Sequence, residues 1–157
     1  MKIESNQFQE GGEIPSTYTC EGSDNSPPLS WADIPANAAS LVLIMDDPDA
    51  PDPMAPKMTW DHWVLYNIDP ASNGLGENVS DNQLPVGTEV GLSSWNKHKY
   101  GGPCPPIGRH RYFFHLYALD IILPSLEEAT SKAVRDAMAG HVVEQAVLMG
   151  TYQKVGV

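Results

Sequence analysis

Asp47, Asp49, His62, His110 and Tyr112 are the residues whose types could do chemistry together in this chain. Imidazole N–H and phenol O–H groups, with loop backbone N–H groups, are the donors that a phosphate or carboxylate needs. An aspartate beside an imidazole favours the imidazolium form, which adds charge to the donor. It can also accept from a protonated phosphate oxygen or a ligand ammonium group. The five residues therefore read as an anion-binding constellation. They could equally be counted as metal ligands, but the intervals from 47 to 62 and from 62 to 110 lack the His-x-x-x-His type of spacing. No metal and no other cofactor is expected. A nucleophilic site using Cys104 or a serine finds neither a Gly-x-Ser-x-Gly elbow nor a cysteine-protease signature. Two further readings stay open: a hydrolase or isomerase with His110 as general base oriented by Asp47, and a partner-binding module whose pocket is vestigial.

The elements that must position these groups are strands. Leu41-Val42-Leu43-Ile44-Met45 runs straight into Asp46-Asp47-Pro48-Asp49, and Trp63 to Ile68 leads away from His62. Both runs are short, aliphatic and aromatic, which favours strand over helix. Prolines at 48, 51, 53 and 56 deny the intervening loop a regular ladder. A longer strand is expected over 109–123, with His110, Tyr112, Phe114, Leu116 and Ala118 on one face and Arg111, Phe113, His115, Tyr117 and Leu119 on the other. Both faces are mostly apolar, as in a strand packed on both sides. Arg109 and Arg111 are expected to face away from His110 and to pair with the acidic surface.

With 157 residues, 41% of them hydrophobic and 18% charged, the chain suits one folded domain over 1–157. Fourteen prolines and thirteen glycines imply many turns and a β-rich body. A formal charge of −11 argues against nucleic acid and against an anionic membrane surface. The chain has neither a signal-length apolar run at its start nor an 18-residue apolar segment, so the expectation is a cytoplasmic protein without stable membrane insertion. In that compartment Cys20 and Cys104 read as two reduced thiols.

Residues 125 to 139 are the one good helix candidate, with a capping box at Ser125 and Glu128, Thr130 as a competing N-cap, and Gly140 as the stop. Trp31 reads as a core plug. The stretch from 69 to 108 reads as long functional loops, and 142–152 as either a helical continuation or a closing strand. Tyr100-Gly101-Gly102-Pro103-Cys104-Pro105-Pro106 is a stiff loop whose backbone can approach a ligand closely.

Five motifs, Asn25-Ser26-Pro27-Pro28-Leu29-Ser30-Trp31, Asp46-Asp47-Pro48-Asp49-Ala50-Pro51, Thr59-Trp60-Asp61-His62-Trp63-Val64-Leu65-Tyr66-Asn67, Tyr100-Gly101-Gly102-Pro103-Cys104-Pro105-Pro106 and His110-Arg111-Tyr112, occur in an order that resembles the phosphatidylethanolamine-binding protein family, most closely its prokaryotic, Raf-kinase-inhibitor-like branch. The resemblance spans about residues 7 to 152. It implies a β-sandwich of two antiparallel sheets with a peripheral helix in the C-terminal region and a small anion cavity at one end. Carried over position by position, the pocket falls on Asp47 and Asp49, Trp60, His62, Pro105, His110 and Tyr112. Asp61 stands where eukaryotic members carry another histidine. The implied function is a binding and regulatory protein for a small anionic or phosphorylated ligand, with a kinase or protease as protein partner. A homodimer would fit the prokaryotic branch.

Overall fold

A computed structural model of the chain describes residues 1–155. The apolar run from Leu41 becomes β3 (Ser40–Ala50), and its neighbours are β4 (Met58–Ile68) and β7 (His110–Leu119). With β6 (Glu89–Val90) and β8 (Val142–Tyr152) they form a five-stranded sheet of order β6-β4-β3-β7-β8, every pair antiparallel. β1 (Lys2–Glu4), β2 (Leu29–Ala32) and β5 (Gly74–Leu75) form a smaller antiparallel sheet of order β1-β2-β5. α1 (Ser131–Met138) packs on the other side of the large sheet. The chain is therefore a β-sandwich of two antiparallel sheets with a peripheral helix near its C-terminal end.

β3 sits at the centre because both of its faces are apolar and both are covered. Leu41, Leu43 and Met45 join Trp31, Trp63, Leu65, Phe114 and Leu116 in the core between the sheets. Val42 and Ile44 join Val64, Tyr66, Tyr117, Val134 and Met138 under the helix. β7 follows the expected alternation: Tyr112, Phe114, Leu116 and Ala118 face the inter-sheet core, and Tyr117 and Leu119 face the helix. Trp31 is buried, and its indole N–H donates to the Ser72 carbonyl at 3.0 Å.

Four local expectations are resolved or corrected. The helix starts at Ser131, where the Thr130 hydroxyl accepts from the Ala133 N–H. Ser125 caps nothing because its hydroxyl donates to Glu89 and the Leu126 N–H goes to the Tyr66 hydroxyl. Residues 142–152 are a strand, held by β7 along its length. The region from 69 to 108 holds only two-residue strands and one short 3-10 turn, so it is loop, as expected. Finally, Cys20 and Cys104 are not free thiols but a disulfide, with Cα atoms 5.4 Å apart across 84 residues of sequence. The thiol reading used compartment and sequence spacing, whereas the pairing comes from packing of the 18–24 segment on the 100–104 loop. There the Tyr100 hydroxyl donates to the Tyr18 carbonyl, the Gly102 N–H to Asp24, and the Cys20 N–H to the Pro103 carbonyl. No helix of the described residues is long and apolar enough to cross a membrane.

Candidate functional site

The site lies where β3, β4 and β7 meet at one end of the sheet. In the β3–β4 ladder Met45 pairs with Trp63 and Asp46 with Asp61, so His62 is the extra residue of a bulge. Bulges re-aim side chains, and this one turns His62 to the same side as Trp63. Trp60 and His62 consequently face inward with Asp47 and Tyr112, while Asp61 is left on the outer face beside Asp46. A cavity of about 320 Å³ results. Its polar groups are few, and Ala50, Pro51, Met58, Trp60, Trp95, Pro105 and Pro106 make much of the wall apolar. That composition suits a small ligand held by a few placed polar atoms.

Asp47 is buried. One of its carboxylate oxygens accepts from the Asp49 N–H at 2.8 Å and the other lies 2.6 Å from His110 Nδ1. Burial raises the Asp47 pKa above the ordinary carboxylate range, against the lowering influence of His110. The other nitrogen of His110 lies 2.9 Å from the Ile107 carbonyl oxygen and 3.1 Å from that of Pro51. Carbonyl oxygens only accept, so Nε2 carries a proton that is already committed to the protein. His110 therefore braces the cavity wall, leaving no ring nitrogen free to donate to an anion or to act as a general base.

His62 is different. Its Nδ1 donates to the Gly101 carbonyl at 2.7 Å, and its ring is fixed edge-on between Trp95 and Tyr112, with centroids 5.0 and 5.3 Å away. Burial pushes its pKa down to about 4. At neutral pH the ring is uncharged, and with Nδ1 protonated its Nε2 bears a lone pair. This corrects the expectation of a cationic histidine donor. Tyr112 lines the same cavity and is fully buried, and its hydroxyl is the sole buried side-chain polar atom without a hydrogen-bond partner among the described residues. Burial, followed by the Asp47 and Asp49 carboxylates, raises its pKa, so the phenol keeps its proton.

Of the expected residues, Asp47, Trp60, His62, Pro105, His110 and Tyr112 line the cavity and Asp49 does not. Asp49 instead clamps the start of β7: its oxygens accept from the Arg111 N–H at 2.9 Å and from the Arg111 guanidinium at 2.8 and 3.0 Å. That guanidinium holds the Asp49 carboxyl below its usual range. Arg109 faces Glu13 at 3.9 Å, so both arginines do pair with acids. Trp95 and Met58 complete the wall beyond the expected residues; Trp95, edge-on to Trp60 at 5.6 Å, ends the one short periodic stretch, 90–95, of an otherwise irregular region. Among the described residues no three His, Cys, Asp or Glu side chains converge as a metal cage would need.

The model of the family described as phosphatidylethanolamine-binding protein matches residues 4–153. The chain belongs to the phosphatidylethanolamine-binding protein family. An uncharacterised relative from Methanothermobacter thermautotrophicus, named only as a UPF0098 protein, is 48% identical over 98% of this chain and 99% of its own length. A crystal structure described as that of a putative phosphatidylethanolamine-binding protein homologue from Chlamydia trachomatis superposes with a TM-score of 0.88 at 40% identity, covering 98% of this chain and 97% of that one. The E. coli family member YbcL gives 0.87 at 26% identity, covering 98% of both chains.

Proposed function

We propose that this member of the phosphatidylethanolamine-binding protein family binds a small phosphoryl group, with carboxylate as the weaker alternative, and uses its occupancy to regulate a protein partner. The observation that carries the reading is the unpartnered Tyr112 hydroxyl beside the uncharged His62 ring in one cavity. A buried polar group without a partner costs about 1–3 kcal/mol, and a ligand oxygen accepting from it removes that cost. The His62 lone pair then takes a proton carried by the ligand. A singly protonated phosphoryl group offers both at once: an acceptor oxygen for Tyr112 and an O–H for His62. A carboxylate has the acceptor and lacks the proton. Asp47 adds a reason for low ligand charge, since a buried carboxyl beside the site disfavours a dianion.

Calorimetric titration with orthophosphate, phosphoethanolamine and acetate, at pH 6 and pH 8, tests the reading on the wild type, Tyr112→Phe and His62→Gln. Phosphoethanolamine should bind more tightly at pH 6 than at pH 8, because a phosphomonoester loses its second proton near pH ~6. Both variants should weaken it about tenfold, about 1.4 kcal/mol. Equal affinity in all three proteins would remove the pocket from the function. The partner part, a kinase or protease, rests on the family alone, and sedimentation velocity tests the homodimer. The cytoplasmic compartment also stays a proposal. The Cys20–Cys104 bridge counts against it, because disulfides persist mainly in oxidising compartments. Thiol trapping in intact cells decides: free thiols support the cytoplasm, a bridge refutes it.

A further inference from the structure

A second hollow, of about 270 Å³, adjoins the ligand pocket and shares Trp95 and Cys104 with it. Both residues of the Cys20–Cys104 bridge line this hollow; Cys20 is exposed and Cys104 partly so. The bridge therefore stands open to a thiol from solution, unlike a disulfide shut in a core. It joins two parts of different character. On the Cys20 side the chain is anchored: Ile14 and Tyr18 are buried, and the Ile14 N–H donates to the Thr151 carbonyl of β8 at 2.8 Å. On the Cys104 side lies the 100–106 loop, which carries part of the pocket. Its Gly101 carbonyl accepts from His62 Nδ1 at 2.7 Å, and Pro105 and Pro106 line the cavity. Prolines at 103, 105 and 106 fix φ around Cys104, so a displacement there passes along the loop instead of being absorbed beside it.

We infer that this bridge is an exchangeable disulfide and that opening it by a dithiol loosens the pocket, which makes it a thiol-dependent switch on ligand binding. The inference rests on the phosphoryl reading of the pocket for one of its two readouts. The chemistry is thiol–disulfide exchange. A thiolate of the dithiol attacks the exposed Cys20 sulfur, the S–S bond breaks, and Cys104 leaves as a thiolate that takes up a proton. The second thiol then attacks the mixed disulfide and releases Cys20 as a thiol. Two electrons and two protons pass to the protein, and the dithiol becomes a disulfide. Lys97 and Lys99 border the same hollow, and positive charge favours a thiolate. Asp24 and Glu21 oppose them, but each already accepts a hydrogen bond, from the Gly102 N–H and from the Tyr152 hydroxyl. Opening does not part the two segments outright. The Tyr100 hydroxyl still donates to the Tyr18 carbonyl at 2.7 Å, and the Cys20 N–H to the Pro103 carbonyl at 3.1 Å. Hydrogen bonds hold less firmly than a covalent link, so the loop gains freedom while the fold persists.

Titration of the full chain with dithiothreitol, without denaturant, tests this. Maleimide mass tagging counts the thiols, and near-UV circular dichroism follows the packing. Nitrogen NMR of the His62 ring reads its bond to Gly101, and calorimetry reads the affinity for orthophosphate. The bridge should open with the native dichroism retained. The His62 Nδ1 signal should then shift, and orthophosphate should bind at least tenfold more weakly. Oxidised dithiothreitol should restore both. The double variant Cys20→Ser/Cys104→Ser should not respond to dithiothreitol; a response there overturns the inference. A bridge that opens only where the chain unfolds is a structural staple and also overturns it. So does a reduced, folded chain whose His62 signal and orthophosphate affinity are unchanged. Should the oxidised chain bind no orthophosphate, the phosphoryl reading fails, and the His62 signal alone decides the switch.

Discussion

β3 sends two adjacent aspartates to opposite sides of one sheet, and each finds a histidine on β7. Asp47 meets His110 on the inner side, with side chains 5% and 1% exposed. Asp46 meets His115 on the outer side at 3.1 Å, and Arg135 of α1 at 3.2 Å, with the histidine 26% and the arginine 35% exposed. The outer cluster is matched group for group. Arg135 also donates to the Ser131 and Tyr117 hydroxyls, and so ties the helix to the strands. Asp61 joins this face, and burial followed by the Asp46 carboxylate raises its pKa. The inner cluster is more deeply buried and still leaves the Tyr112 hydroxyl without a partner. One pair of residue types thus makes a structural brace on one face and the wall of a ligand site on the other. The difference lies in which face has its hydrogen bonds completed by the protein itself.

The contrast can be broken in several ways. Removing the disulfide with Cys20→Ser/Cys104→Ser should lower stability by about 4.5 kcal/mol in the chain-entropy account, read by urea denaturation. The loss should be accompanied by weaker phosphate binding, because Cys104 adjoins Pro105 of the cavity wall. Asp47→Ala leaves buried His110 without its carboxylate and should cost about 3–5 kcal/mol. Asp46→Ala, on the wetter face, should cost about 1–2 kcal/mol, because solvent rescues part of each partner. Equal losses would erase the distinction between the faces.

Acid should act on the inner face as well. Because the folded His62 pKa lies near 4, below the ordinary 6.5, the unfolded chain takes up the proton first. This contribution is fully present above pH ~6.5 and is lost as pH falls toward ~4, to a total on the order of 3 kcal/mol. His62→Gln should remove that part of the pH dependence of the denaturation midpoint. The smallest expected effect is that of Tyr112→Phe on stability, a gain of up to about 1 kcal/mol from deleting an unpaired hydroxyl. A clear loss would mean that the protein already satisfies this group.

Much of this was legible in the sequence. The apolar run into Asp46 and the two-faced alternation after His110 announced the central strands, and their ends gathered Asp47, His62, His110 and Tyr112. What escaped depended on contacts between distant segments. Strict alternation from Trp63 would aim His62 outward, and only the bulge turns it in. The donor role expected of His110 failed because its second nitrogen meets carbonyls from two patternless loops, at Pro51 and Ile107. For the same reason alanine at 110 would unsettle the fold as well as the ligand. Asp49 looked like a site residue by proximity, yet Arg111 claims both of its oxygens. No local pattern could have paired Cys20 with a partner 84 residues away.

Gly101 is where the loop touches everything at once. Its carbonyl fixes the His62 tautomer, its N–H returns to the His62 carbonyl at 3.1 Å, and a methyl group placed on it would come within 2.3 Å of the Trp95 ring. Trp95 is the partition between the two hollows. The missing methyl thus works as a set-screw: one added carbon would shift the partition and change the relative room of the two chambers. Breadth of ligand choice can accordingly be tuned at a residue whose own side chain is a single hydrogen.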